Sequence, residues 1–167
     1  MKISMIAALD ENYGIGAKNA LLWHLPDDFK WFKQHTIGKP VIMGRQTMLS
    51  LGKPLPNRLN MVLSSDPSSV LPGFEHAFSI HEAIEKLSEY EEVFVIGGGQ
   101  IYNAFLPMAH ALYLTFVKAQ FEGVDTYFPR FSAAHWQETF REAHGIDDRH
   151  AYAFDLCVFE RQAEAVI

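Results

Sequence analysis

The sequence predicts a single α/β domain built on a mostly parallel sheet flanked by helices, and three observations point there. Apolar runs of strand length alternate with stretches of helical spacing through the first two-thirds of the chain. Two of those runs, Val41-Ile42-Met43-Gly44 and Val95-Ile96-Gly97-Gly98-Gly99, end in glycine and turn directly into a helix start. Two closing runs, near 136–141 and 152–160, are joined through Gly145-Ile146-Asp147-Asp148 and lie close enough to pair antiparallel at a sheet edge.

Composition narrows the class. A chain of 167 residues, 49% hydrophobic and 20% charged, suits one domain (1–167) with a substantial core. No apolar run approaches the roughly 20 residues that span a bilayer. The N-terminus meets acidic residues too early for a secretory leader and reads as a first strand. The single Cys157 excludes an intramolecular disulfide and a cysteine metal site, and it suits a reducing cytoplasm. The eight histidines show no helical pair at metal-ligand spacing, so no metal is expected. A net charge of −6 argues against nucleic acid. An anionic ligand then needs a local cationic patch.

In chain order, 3–9 is a near-continuous apolar run, as in a strand buried on both faces. The connection 10–24, with Gly14 and Gly16 inside it, lacks periodicity and is long enough to read as a functional lid. Next comes Trp23-His24-Leu25-Pro26-Asp27-Asp28-Phe29-Lys30-Trp31-Phe32. Pro26 suits a first helical turn, and so do acids. At helical spacing Leu25, Asp28, Phe29, Phe32 and Thr36 share one mostly apolar face, and Asp27 falls on another side with Lys30, Trp31 and Gln34. Asp27 therefore reads as a solvated acid whose removal is nearly silent. Asp28 points inward with Phe29 and Phe32, where it caps the helix, neutralises, or meets a cationic or N–H-rich partner.

Gly44-Arg45-Gln46-Thr47 places a glycine, a cation and a hydroxyl at a helix N-terminus, the end that suits phosphate. The proline-rich loop 51–58 ends at Arg58, which is either a solvated charge or a ligand contact. A strand at 59–64, a turn-rich connector at 68–73 and a short strand at 74–78 follow. Helical spacing at 79–90 puts Ile80, Ala83, Ile84 and Leu87 on one face, with Ser79 as the cap. The 92–102 turn misses the dinucleotide fingerprint because Tyr102 holds the last glycine position. An apolar strand at 111–117 and a loop at 122–126 precede the closing pair.

Several segments together match one family. Ile6-Ala7-Ala8, Gly16, Trp23 to Asp28, Lys39 to Arg45, Pro54-Leu55-Pro56-Asn57-Arg58, Ile96 to Gly99, Leu112 to Thr115 and Glu122 to Pro129 recur in this order and spacing. By these segments the chain resembles dihydrofolate reductase of the bacterial chromosomal type over essentially its whole length. The resemblance implies an eight-stranded, mostly parallel sheet with an antiparallel C-terminal strand and helices on both faces. It implies hydride transfer from NADPH to C6 of 7,8-dihydrofolate, giving tetrahydrofolate for thymidylate and purine synthesis, in a cytoplasmic monomer open to antifolate inhibitors. Asp28 would bind the pterin ring and favour protonation at N5 through a water, hydrogen-bonded by Thr115, with Trp23 helping to hold that water. Ile6, Ala8, Phe29, Phe32, Lys33, Leu51, Leu55 and Ile96 would line the substrate slot, and Arg58 would grip the glutamate carboxylate. The resemblance assigns the cofactor to Ala8, Ile15, Gly16, Leu21, Gly44, Arg45, Gln46, Thr47, Leu63, Ser64, Ser65, Gly97, Gly98, Gly99, Gln100, Ile101 and Tyr102. It also implies a cis peptide between Gly97 and Gly98, and a lid tied down by Asp125.

The chain departs from the family pattern at four places. Leu21-Leu22 lacks a proline that stiffens many lids, and Val124 reads as a one-residue insertion before Asp125. Gln100 replaces a basic residue that some relatives place near the cofactor 2′-phosphate, and Phe29 stands where leucine is common. Two other readings compete. One is a reductase of the same fold acting on a pyrimidine intermediate of riboflavin synthesis, which has no need of Arg58. The other is a nucleotide-binding protein without catalysis.

Overall fold

The fold is taken from a computed structural model, which describes residues 1–16 and 23–162. Among the described residues, ten strands and four helices follow in order: β1 (Lys2–Leu9), β2 (Gly14–Gly16), α1 (Pro26–Thr36), β3 (Val41–Gly44), α2 (Arg45–Leu51), β4 (Asn60–Leu63), β5 (Glu75–Ala77), α3 (Ile80–Lys86), β6 (Glu92–Val95), α4 (Gly99–Phe105), β7 (Ala111–Val117), β8 (Thr126–Tyr127), β9 (Trp136–His144) and β10 (Phe154–Arg161). Eight strands form the main sheet in the order β5-β4-β3-β6-β1-β7-β10-β9. Every neighbouring pair is parallel except those of β10, which runs against both β7 and β9.

The period of two along a strand sorts the core into two layers. Met5, Ile42, Val93 and Val95 join one cluster with Ala83 and Leu87 of the α3 region and Phe105 of α4. Ile6, Val41, Met43 and Phe94 join the other with Trp31 of α1 and Met48 of α2. Helices therefore cover both faces, and the central strands are apolar throughout because neither side meets water.

The closing antiparallel pair is present, from Phe154↔His144 to Arg161↔Trp136. Ser79 caps α3 by accepting the Glu82 N–H at 3.1 Å, and the Glu82 carboxylate accepts the Phe78 N–H at 2.8 Å. That helix ends at Lys86, short of residue 90, because the chain turns at Leu87 to enter β6. The two-stranded ribbon of β2 and β8 carries too few residues, two of them glycine, to show a period in sequence.

Helix α1 corrects the sequence reading on both of its sides. Trp31, placed on the solvated face, is buried because β9 folds over it and Phe140 stacks on its ring at 5.8 Å. Phe29, placed inward, is 44% exposed and leans on His24 across 5.4 Å. Asp27 is not a free surface acid. Its carboxylate meets Arg149 at 3.1 Å on the loop joining β9 to β10. Phe140 and Arg149 lie far along the chain, so helical spacing alone could not reveal the burial of Trp31 or the pairing of Asp27.

Candidate active site

The carboxyl ends of parallel strands collect the loops that carry function. Here β1 ends at Leu9, β3 at Gly44, β4 at Leu63 and β6 at Val95, and each is followed by one of the motifs singled out above. Asp28 reaches this edge from the first turn of α1. Thr115 of β7 donates its hydroxyl to Asp28 Oδ1 at 2.6 Å, and Ala8 pairs with Thr115 across β1 and β7. Burial disfavours the charged carboxylate and pushes the Asp28 pKa up to about 6, with the Thr115 hydrogen bond opposing the rise. The group thus sits near the middle of the physiological range, where it can both hold and release a proton.

The core layer that α1 packs on carries half-buried apolar side chains. Ala8, Phe32, Leu51, Leu55 and Ile96 pack on the same core layer as Ile6. Phe29 stands at the exposed end of this wall, and Lys33 is exposed one turn further along α1. Trp23 is buried and packs on Phe121 at 5.4 Å.

Arg58 closes the far end. Its Nη1 donates to Thr36 Oγ1 at 2.7 Å and its Nε to the Pro56 carbonyl at 2.9 Å. Among the described residues no carboxylate lies within 4.0 Å of this guanidinium, and partial burial lowers its pKa. An oriented cation with no anion beside it among the described residues is suited to a carboxylate from outside.

Asn60 is not singled out by the sequence, yet it holds the loop that carries Leu55 and Arg58. Its buried side chain accepts the Leu55 N–H at 2.9 Å and donates to the Leu55 and Arg58 carbonyls, each at 3.0 Å. The available signal is a lone asparagine in an apolar strand, a residue type strands disfavour. Asp10 is a second such residue. It is 1% exposed, and its carboxylate accepts the N–H groups of Asn12, Gly14 and Phe121 at 2.8, 2.7 and 3.3 Å. It ties the start of the 10–24 connection to the 118–126 loop.

The two glycine turns lie side by side, with the Gly44 N–H donating to the Gly97 carbonyl at 2.9 Å. The Gly97–Gly98 peptide is cis, and Gly97 has φ 127°, a conformation that suits glycine. A Cβ on Gly97 would lie 3.3 Å from Thr47 Oγ1 and 3.4 Å from the Tyr102 ring. Among the described residues neither α2 nor α4 has a side-chain cap, so no side chain accepts the first backbone N–H groups of either helix. Arg45, Gln46, Ser65 and Gln100 are exposed around these turns, while Thr47, Leu63, Ser64, Gly98, Gly99 and Ile101 are half-buried. Tyr102 underlies the turn instead of lining it: it is 4% exposed and its hydroxyl donates to the Ile6 carbonyl at 2.6 Å. Ile15 and Gly16 sit in β2, where the Asp125 N–H reaches the Gly16 carbonyl at 3.1 Å, and a Cβ on Gly14 would lie 2.8 Å from Val124 Cγ1. Leu21 and the Leu21-Leu22 departure lie outside the described residues.

Comparison with known proteins agrees with this geometry. The family model described as dihydrofolate reductase matches residues 2–161. Dihydrofolate reductase type 3 of Salmonella typhimurium is 47% identical over 162 residues, covering 97% of this chain and 99% of that protein. Dihydrofolate reductase of Bacillus subtilis (strain 168) is 41% identical over 160 residues, covering 96% and 95%. The solved structure of dihydrofolate reductase from Enterococcus faecalis complexed with NADP(H) and RAB-propyl superposes with a TM-score of 0.90 at 35% identity, covering 97% of each chain. With a family match over nearly every residue, and the acid, the wall, the cation and the glycine turns set in one edge of the sheet, the chain belongs to the dihydrofolate reductase family.

Proposed function

We propose that this chain reduces 7,8-dihydrofolate to 5,6,7,8-tetrahydrofolate with NADPH, and that Asp28 binds the pterin and assists protonation at N5. The observation that carries the reading is the Thr115-held, desolvated Asp28 at the head of an apolar wall whose far end is the oriented cation Arg58. A heterocycle presenting paired N–H donors meets the Asp28 carboxylate bidentately. The apolar wall takes its aromatic middle, and Arg58 takes a terminal carboxylate.

The residues fit a dinucleotide as well. At the adjoining turns a Cβ on Gly44 would press on Ile101 and one on Gly99 on Thr126 and Tyr127, so glycine lets the two helix starts pack together at the strand ends, and Arg45 adds an exposed cation beside them. When bound there, NADPH supplies the hydride. The protein's own share is to hold the ring between Ala8, Ile6 and Ile96, to exclude water, and to keep a proton available near N5 through Asp28. Ser64 and Ser65 near Arg45 favour a 2′-phosphate, and Gln100 withholds one further cation from it. Supply of tetrahydrofolate to thymidylate and purine synthesis, by a cytoplasmic monomer, completes the reading, and the pterin slot makes antifolate heterocycles natural inhibitors.

Loss of NADPH absorbance on adding dihydrofolate tests it. The purified protein should show that loss, and should show none with a pyrimidine intermediate of riboflavin synthesis. Absence of a dihydrofolate-dependent change would overturn the proposal.

A further inference from the structure

Helix α1 begins without a cap of its own. Leu25 at the N-cap position has no side-chain acceptor, and Pro26 has no N–H. The N–H groups of Asp28 and Phe29 both turn back to the Leu25 carbonyl, at 3.0 and 3.2 Å. The N–H of Asp27 is met by Nε2 of His150, 3.1 Å away and 123 positions further along the chain. To accept there, the imidazole must carry its proton on Nδ1, and Nδ1 faces Asp147 Oδ1 at 2.8 Å. Asp147 is fixed in turn. Its carboxylate also accepts the Arg149 N–H at 2.9 Å, and its backbone exchanges bonds with His150 at 3.1 and 3.2 Å. Arg149 then closes on the Asp27 carboxylate. His150 itself is 1% exposed and lies against the Phe154 ring at the head of β10.

The loop between β9 and β10 thus supplies, from across the molecule, the acceptor that the helix lacks. Asp28 is the very next residue, and its carboxylate must meet a hydroxyl on a different element, Thr115 of β7. We propose that His150 is a positioning residue for Asp28: by capping α1 at Asp27, with its tautomer held by Asp147, it fixes the first helical turn at the height where Asp28 reaches Thr115. His150 touches neither substrate nor cofactor in this scheme. The groups facing it are Asp27, Asp147 and Arg149, and those facing Asp28 are Thr115 and the buried Tyr102 nearby. The inference rests on the role proposed for Asp28 above.

The test compares the wild type with His150→Ala, His150→Gln and Asp147→Ala. Glutamine keeps an acceptor for the Asp27 N–H, and Asp147 is a half-exposed side chain whose loss opens no core cavity. His150→Ala should lower kcat/KM for dihydrofolate about 10- to 100-fold, the scale of a misplaced catalytic group. The midpoint of its pH–rate profile should also move, with glutamine recovering most of the loss. The carboxyl 13C titration of Asp28, read without substrate, should move in the same variants. Phe159→Ala, a core change elsewhere on β10, serves as a control of matched Tm and should leave both midpoints in place. Unchanged midpoints in His150→Ala and Asp147→Ala would overturn the inference, as would an equal shift in Phe159→Ala. A wild type that does not oxidise NADPH with dihydrofolate would instead overturn the proposed function, and the 13C titration would still decide the positioning role.

Discussion

The Thr115 hydroxyl donates to the Asp28 carboxylate across 2.6 Å, and this one bond joins the first turn of α1 to the middle of β7. It favours the charged form of a group that burial has made reluctant to ionise, so the proton on Asp28 is finely balanced.

Replacing Asp28 by asparagine should therefore remove most activity at neutral pH and leave part of it recoverable in acid, where the substrate arrives carrying its own proton. Pterin-like inhibitors should bind more weakly by about 3–5 kcal/mol, the scale for breaking a buried charge pair. A pH profile of kcat/KM measures the first effect and inhibitor titration the second. A variant whose profile matches the wild type would remove Asp28 from the chemistry.

The same substitution should act on stability in the opposite sense. The Asp28 pKa is raised from 3.8 to about 6 in the folded protein, so the native state holds the proton more tightly than the unfolded chain does. The carboxyl then favours folding below pH 4, and that contribution is lost as pH rises through 6. An asparagine side chain has nothing to ionise. Asp28→Asn should be more stable than the wild type above pH 6 by about 3 kcal/mol, converging with it towards pH 4. Thermal melts at both ends of the range read this directly, and equal Tm differences at pH 4 and pH 7 would contradict it.

Arg58→Ala should act on substrate affinity. The guanidinium is oriented by Thr36 and Pro56 with no carboxylate of the described residues to neutralise it. A charge-assisted bond to the substrate carboxylate is worth about 1.5–3 kcal/mol, so the dihydrofolate KM should rise by about 10- to 100-fold with little change in kcat. Substrates trimmed of the glutamate should lose the distinction between wild type and variant.

Asn60→Ala should weaken the same end of the site from beneath. It removes three hydrogen bonds from the loop 54–58 and strands the groups they satisfied, at about 1 kcal/mol each. Tm should fall by about 5–10 °C, and the dihydrofolate KM should rise because Leu55 and Arg58 lose their common anchor.

Much of this is legible in the chain. The apolar runs of β1, β3, β6 and β7 announce strands buried on both sides, and the glycine turns after β3 and β6 mark the edge where ligands collect. Asp28 stands out because a carboxylate shares a face with Leu25 and Phe32. The reading fails where distant segments meet. Trp31 and Asp27 read as solvated because one turn of helix says nothing of Phe140 or Arg149. Asn60 and Asp10 hold backbone of neighbouring loops and His150 holds the first turn of α1, and such bonds leave no periodic trace. The ribbon of β2 and β8 pairs only Gly14 with Tyr127 and Gly16 with Thr126, too few residues for propensity or period to mark it.

Strand β9 bears on how the molecule behaves in a crowd. It is the outermost strand of the sheet, nine residues long, and its outer margin turns backbone groups outward that invite another extended chain. Glu138, Arg141 and Glu142 lie along it exposed, and Arg141 is drawn to Glu138 at 2.6 Å and to Asp155 of β10 at 2.5 Å. An incoming strand would have to strip water from those charges. The opposite margin is β5, only three residues long, too short a template to recruit a neighbour. Both borders of the sheet are thereby closed to growth, and concentrated solutions of the folded protein should stay free of sheet-extended aggregates.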